Sequence, residues 1–187
     1  DGSVYIAGFT SGDLDGQTNR GGYQDAFISK YDTAGDREWT KFLGIHNGHN
    51  RLAMRTGIDG SIFITGDSYY NLDGQSNSGY TDAFIINFTS EGDKKWTRLV
   101  GSDSYEYGYA LTTGLDGSIY IAGTTSGDLD GQTNSGTQDG FISKFDNNGE
   151  KEWTRLIGSN LNDRISALTT GLDGSIYISG QTDSRLE

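Results

Sequence analysis

The chain of 187 residues has no cysteine and no proline, one methionine and two histidines. Without cysteine there is no disulfide framework, no thiolate zinc site and no thiol nucleophile. That absence leaves the compartment open. Without proline, the turns fall to Asn, Asp and the 29 glycines. Basic residues are scarce: 14 Lys and Arg stand against 26 Asp and Glu, a net charge of −12. A nucleic-acid surface needs a basic patch, and none is visible, so no nucleic-acid partner is expected. Attraction to an anionic membrane surface is unexpected for the same reason. Acidity of this kind suits cation binding or simple solubility. No apolar run approaches the ~18 residues of a spanning helix, so no membrane insertion is expected. There is also no Gly-x-Ser-x-Gly elbow, no phosphate-binding glycine loop and no zinc-binding helix motif. No catalytic residue stands out.

What is present is repetition. "DGSVYIAG" begins at Asp1, "DGSIFITG" at Asp59, "DGSIYIAG" at Asp116 and "DGSIYISG" at Asp173, in steps of 58, 57 and 57 residues. Self-similarity at a fixed period marks a repeat architecture. The chain divides into repeats 1–58, 59–115 and 116–172 and a partial repeat 173–187, together one domain. The extra residue of the first repeat falls between Asn19 and Asp25, which marks a surface loop.

Each repeat carries four strand-like segments. In the third they are "SIYIAGTT", "DGFISKFD", "KEWTRLIG" and "SALTTGLDG". Apolar and aromatic residues alternate in them, as in Phe141, Ser143 and Phe145 against Ile142 and Lys144. Period-two patterning predicts strands, and no window carries a helical stripe. "LDGS" reads as a tight Asp-Gly hairpin before the first strand. "DTAGD", "TSEGD" and "DNNGE" read as type I turns closed by left-handed Gly35, Gly92 and Gly149. The expected unit is a four-stranded antiparallel meander. The expected fold class is all-β, a β-propeller-like array of about three and a quarter blades with the ring incomplete in one chain. Ala53, Ala110 and Ala167 suit a crowded innermost strand. Trp39, Trp96 and Trp153 then lie on the outermost strand and pack between neighbouring blades.

"GSIYIAGTT", "DAFISKYD" or "DGFISKFD", "EWTRLIGS" and "ALTTGLDGS" together resemble the bacterial SBBP β-propeller repeat family. The resemblance covers essentially the whole chain. The first repeat departs most from it, at "GIHNGHNRLA", and Asn87 replaces the family's lysine in the second. The resemblance implies a propeller module of a large secreted or surface-associated bacterial protein, with no catalytic residue to carry over. The chain opens inside a repeat, lacks an initiator Met and ends in Leu186-Glu187, which reads as a cloning scar on a fragment of a longer array. Propellers close with about four to eight blades. The unpaired edges at both ends therefore predict self-association, as a dimer completing a ring of about six blades.

The loop between the first two strands is the richest candidate site. It reads "GDLDGQTN" at 12–19 and 127–134 and "YNLDGQSN" at 70–77. Asp13, Asp15 and Asn19 recur as Asn71, Asp73 and Asn77 and as Asp128, Asp130 and Asn134, with Gln17, Gln75 and Gln132 between them. Oxygen donors so spaced suit Ca²⁺, although the glycine position and the missing twelfth-position Glu exclude an EF-hand loop. The same residues can instead hydrogen-bond their own loop. Asp25, Asp82 and Asp139, before the second strand, are expected to cap or brace that loop. His49, Glu106 and Asp163 correspond but differ chemically, so no repeated site is expected there. His46 and His49 read as polar loop residues rather than a metal pair. The sequence supports a non-enzymatic binding, adhesion or structural scaffold. A second reading is a lectin-like or calcium-dependent multivalent binder with one loop site per blade and a protein or carbohydrate ligand.

Overall fold

A computed structural model describes residues 2–19, 23–46 and 51–184. Among them the period-two segments become strands in meanders. β1 (Val4–Thr10), β2 (Asp25–Tyr31) and β3 (Arg37–His46) form a three-stranded sheet. β4 (Ala53–Thr56), β5 (Ile62–Ser68), β6 (Asp82–Phe88) and β7 (Lys94–Val100) form a four-stranded sheet. β8 (Glu106–Thr113), β9 (Ile119–Thr125), β10 (Asp139–Phe145) and β11 (Lys151–Ile157) form a second one. β12 (Asp163–Thr170) pairs with β13 (Ile176–Thr182). All the pairings are antiparallel between consecutive strands. The fold is all-β, and no helix is present among the described residues. In particular, none there is long and apolar enough to cross a membrane, which leaves strand-built spans untouched.

The sheets stack face to face, and the alternation in each strand feeds two cores. Ala26, Ile28, Leu43 and Ile45 of the first sheet meet Ile62, Ile64, Phe84 and Ile86 of the second. Phe63, Ala83 and Ile85 on its other face meet Leu111, Ile121, Phe141 and Phe145. Ala110, Ala122 and Ile142 then meet Ile165 and Leu168. Phe141 and Ile142 thus serve opposite cores, as the alternation predicts. β5 and β6 are buried along their whole length, so both of their faces read apolar. Fully burying each such Phe or Ile contributes about 1.5–3 kcal/mol.

Successive sheets are also keyed to each other. Trp39 lies on Gly92 of the next repeat's turn, and Trp96 lies on Gly149, where a Cβ would meet the indole ring. Trp96 Nε1 donates to the Asn147 carbonyl at 3.2 Å. At the loop rim, parallel bridges join Thr81 to Tyr105 and Gln138 to Asn162. Through them Glu106 N–H reaches Thr81 O at 2.7 Å and Asp163 N–H reaches Gln138 O at 2.8 Å.

Two local expectations change. The "DGS" segment is no two-residue hairpin. Gly57 N–H bonds Ser61 O at 2.7 Å, and Gly60, at φ +79°, donates to Gly57 O at 3.1 Å. This is the same type I turn with a closing left-handed glycine that Asp32–Asp36 adopts, where Gly35 donates to Asp32 O at 3.2 Å. The strand before "DGS" also starts earlier than Ser166, at Asp163, because the bridge to the preceding sheet extends it.

Candidate metal and ligand loops

The long loop after the first strand contains a miniature hairpin. Leu14 and Gln17 exchange backbone bonds at 3.1 and 3.0 Å, as do Leu72 with Gln75 and Leu129 with Gln132. Between them Asp15, Asp73 and Asp130 adopt φ of 55°, 49° and 51°, and the following glycines φ of 75°, 79° and 76°. Two successive left-handed residues make a type I′ turn, which Asp-Gly tolerates best.

The hairpin tip folds onto the third strand of its own sheet. Asp73 accepts from Lys94 Nζ at 2.7 Å and from the Thr97 hydroxyl at 2.5 Å. Asp130 accepts from Lys151 Nζ at 2.5 and 2.6 Å and from the Thr154 hydroxyl. Asp15 is held in the same way by Arg37 and Thr40. Gln132 then treats the sheet edge as a partner strand. Its amide donates to Thr154 O and accepts from Leu156 N–H at 3.1 Å. Gln17 donates to Thr40 O likewise. An open strand edge is an aggregation hazard, and the loop covers it.

The other oxygen donors close the loop on itself. Asp13, Asn71 and Asp128 each accept the backbone N–H of Asn19, Asn77 and Asn134 at 2.9 Å. An amide oxygen does this as well as a carboxylate oxygen, which accounts for Asn71. The Asn19, Asn77 and Asn134 amides return to the end of the first strand, at Thr10, Ser68 and Thr125 carbonyls. The two acidic positions of a loop therefore serve separate partners. Among the described residues no group of three or more His, Cys, Asp or Glu side chains is placed to hold a metal ion.

In the second and third repeats the acid before the second strand braces the loop from beneath, whereas Asp25 binds the backbone of β3. Asp82 accepts Ser78 N–H at 3.0 Å, Asp139 accepts Ser135 N–H at 2.9 Å, and Asp25 accepts Ile45 N–H at 2.9 Å. All three are buried. Burial pushes the Asp82 and Asp139 carboxyls above their ordinary range, and the Asp163 charge adds to the shift of Asp139. A Cβ at Gly101 or Gly158 would overlap these carboxylates, so both positions require glycine.

Glu106 and Asp163, although chemically different, do one job. Glu106 accepts the N–H and hydroxyl of Ser102 at 2.6 and 2.7 Å, and Asp163 accepts those of Ser159 at 2.6 and 2.8 Å. The third equivalent, His49, lies outside the described residues, so the His46 and His49 pair is not placed. Burial raises the Glu106 carboxyl, and the nearby Asp82 charge raises it further. Sequence reasoning missed the Lys/Arg and Thr partners of the turn aspartates. Their signal is present: Arg37, Lys94 and Lys151 recur at the repeat period, as do Thr40, Thr97 and Thr154.

No family model matches the chain. It is 30% identical over 204 aligned positions to the regulatory protein FlaEY of Caulobacter vibrioides, covering 98% of this chain. The chain spans only 21% of the length of that relative. Among solved structures it is similar, with a TM-score of 0.44 and 9% identity, to a protein of unknown function from Bacteroides caccae. That likeness covers 83% of this chain and 48% of the other.

Proposed function

We propose that the chain is a non-catalytic β-propeller segment that acts as a binding, adhesion or structural scaffold within a larger exported bacterial protein. The observation that carries this reading is the repeated seam. Trp39 on Gly92 and Trp96 on Gly149 join successive sheets in the same way. Stacked meanders related by one repeated step generate a ring or an arc. The turn aspartates Asp15, Asp73 and Asp130 are committed to Lys or Arg and Thr partners, which favours a structural role for their loops. The resemblance to SBBP repeats supports the exported bacterial setting. The similarity to one stretch of the much longer FlaEY fits a module inside a longer chain.

The test is sedimentation velocity with negative-stain microscopy at micromolar concentration. The expected result is a dimer with a closed ring of about six blades. A monodisperse monomer overturns the self-association, and an extended rod overturns the ring. A glycan array tests the lectin-like alternative. Binding lost when Asp15, Asp73 and Asp130 are replaced by Ala supports one site per blade, and silence across the array supports the scaffold.

A further inference from the structure

The edge strand β8 carries a feature that the other repeats lack. Tyr105, Tyr107 and Tyr109 correspond to Asn162, Arg164 and Ser166 one repeat later. Their rings run nearly parallel, with centroids 6.2 Å apart at each step. Tyr80 of the second repeat extends the row, stacked on Tyr105 at 4.8 Å and 12°. Tyr80 is 63% exposed and Tyr105 37%. At the other end of the row, the strand register shifts between Gly108 and Ala110. Such a bulge re-aims a side chain.

Two arginines converge on Tyr109. The Arg164 guanidinium, from β12, lies 4.3 Å from the ring centroid. The Arg51 guanidinium, from just before β4, lies 5.0 Å from it. Three successive sheets thus meet at one ring. Several other cations pair with acids, as in Lys30 with Glu38, Lys94 with Asp73 and Arg98 with Glu150. Arg51 and Arg164 form no ion pair among the described residues. In a chain of net charge −12, two guanidiniums beside one ring with no ion pair of their own have the capacity to receive an anion.

We propose that Arg51, Arg164 and Tyr109 bind the acidic group of a charged saccharide, whose rings run along the row from Tyr107 toward Tyr105. A guanidinium fork matches a carboxylate or sulfate. A sugar ring presents a C–H face to an aromatic ring and hydroxyls at its rim, where phenols and guanidinium N–H groups can meet them. An acidic peptide would use the arginines and leave the aromatic rings without a match. A nucleic acid carries a phosphate at every step, which two cations in so acidic a molecule do not offset. The site is single, complete within three adjacent sheets, and independent of ring closure and of the repeated loops.

The test is calorimetric titration of the intact chain with four probes: digalacturonate, a sulfated galactose disaccharide, neutral galactobiose and a thymidine pentanucleotide. Binding of one or both acidic sugars is expected, with the stronger of them identifying carboxylate or sulfate as the recognised group. Arg51→Gln and Arg164→Gln should each weaken it about tenfold, and added salt should weaken it further. Tyr109→Ser introduces the residue that the next repeat uses at Ser166, so the fold is kept while binding is lost. Equal binding of the neutral sugar, preference for the oligonucleotide, silence of both acidic sugars, or unchanged binding in well-folded arginine variants would each overturn the proposal.

Discussion

At Leu129–Gln132 and at Leu115–Ser118 the same three residues, Leu-Asp-Gly, turn the chain in two different ways. In the first, Asp130 is left-handed and its carboxylate reaches across to Lys151 and Thr154. In the second, only the glycine is left-handed, at φ +82°, and Asp116 accepts from the N–H and hydroxyl of Ser118, at 3.0 and 2.8 Å. The residue after the glycine decides the outcome. Serine offers the aspartate two donors two residues on, so the carboxylate stays local. Gln132 instead donates its backbone N–H to Leu129 O at 3.0 Å and its side-chain amide to the outer strand, and the aspartate reaches that strand too. One turn is sealed by its own residues and the other by contacts made 21 to 24 residues away.

The largest break in this comparison should come from Asp130→Ala. Alanine tolerates the left-handed conformation poorly, and both charge-assisted bonds vanish, so about 3 kcal/mol of stability should be lost, read from urea unfolding. Gln132→Ala uncovers the edge of β11 and should cost about 1–2 kcal/mol, with faster aggregation on heating followed by light scattering. Asp116→Ala should cost about 1 kcal/mol, because its turn is intact without the carboxylate.

The Asp116 effect has a pH signature. The Ser118 N–H and hydroxyl hold its carboxyl below the ordinary range, so the native state binds its proton less readily than the unfolded chain. Its stabilisation is complete above the unfolded value of about 4 and fades as pH falls through the lower native value. Wild-type and Asp116→Ala melting curves should therefore converge in acid. Burial makes Asp82, Asp139 and Glu106 act in the opposite sense, since their raised native values favour the fold as pH falls toward the ordinary range.

Asp130→Asn should have the smallest effect, about 0.5 kcal/mol. Asparagine also accepts the left-handed turn and the Thr154 bond, and only the half-exposed ion pair is lost. Melts in millimolar calcium and in EDTA should coincide for the wild type and for this variant. A ligand at 100 times its Kd would stabilise by about 2.7 kcal/mol, so an upward shift in calcium that Asp130→Asn abolishes would make these loops metal sites.

Much of this was legible in advance. The repeat period and the alternation in "DGFISKFD" place β10 and separate Phe141 from Ile142 because each strand is sandwiched between two cores. The alanines and tryptophans fall on opposite edges of the sheets because a meander puts its first and last strands outermost. The long-range partners were not legible. Nothing local to "LDGQ" says that Lys151 will be its counter-ion, because that pairing exists only after β11 folds back beside the loop. The early start of β12 was hidden because polar Asp163 and Arg164 extend the strand through a bridge to the neighbouring sheet. The convergence of Arg51 and Arg164 on Tyr109 depends on three repeats meeting, which no single repeat displays.

The seam built from a tryptophan and the next repeat's turn glycine is directional. Each repeat offers an indole to its successor and a bare turn to its predecessor, a heterologous contact rather than a self-complementary one. Such a contact can be copied by tandem duplication of a single coding unit without a new interface having to evolve. The seam itself sets no copy number: a heterologous contact makes a ring where the step closes and an open array where it does not.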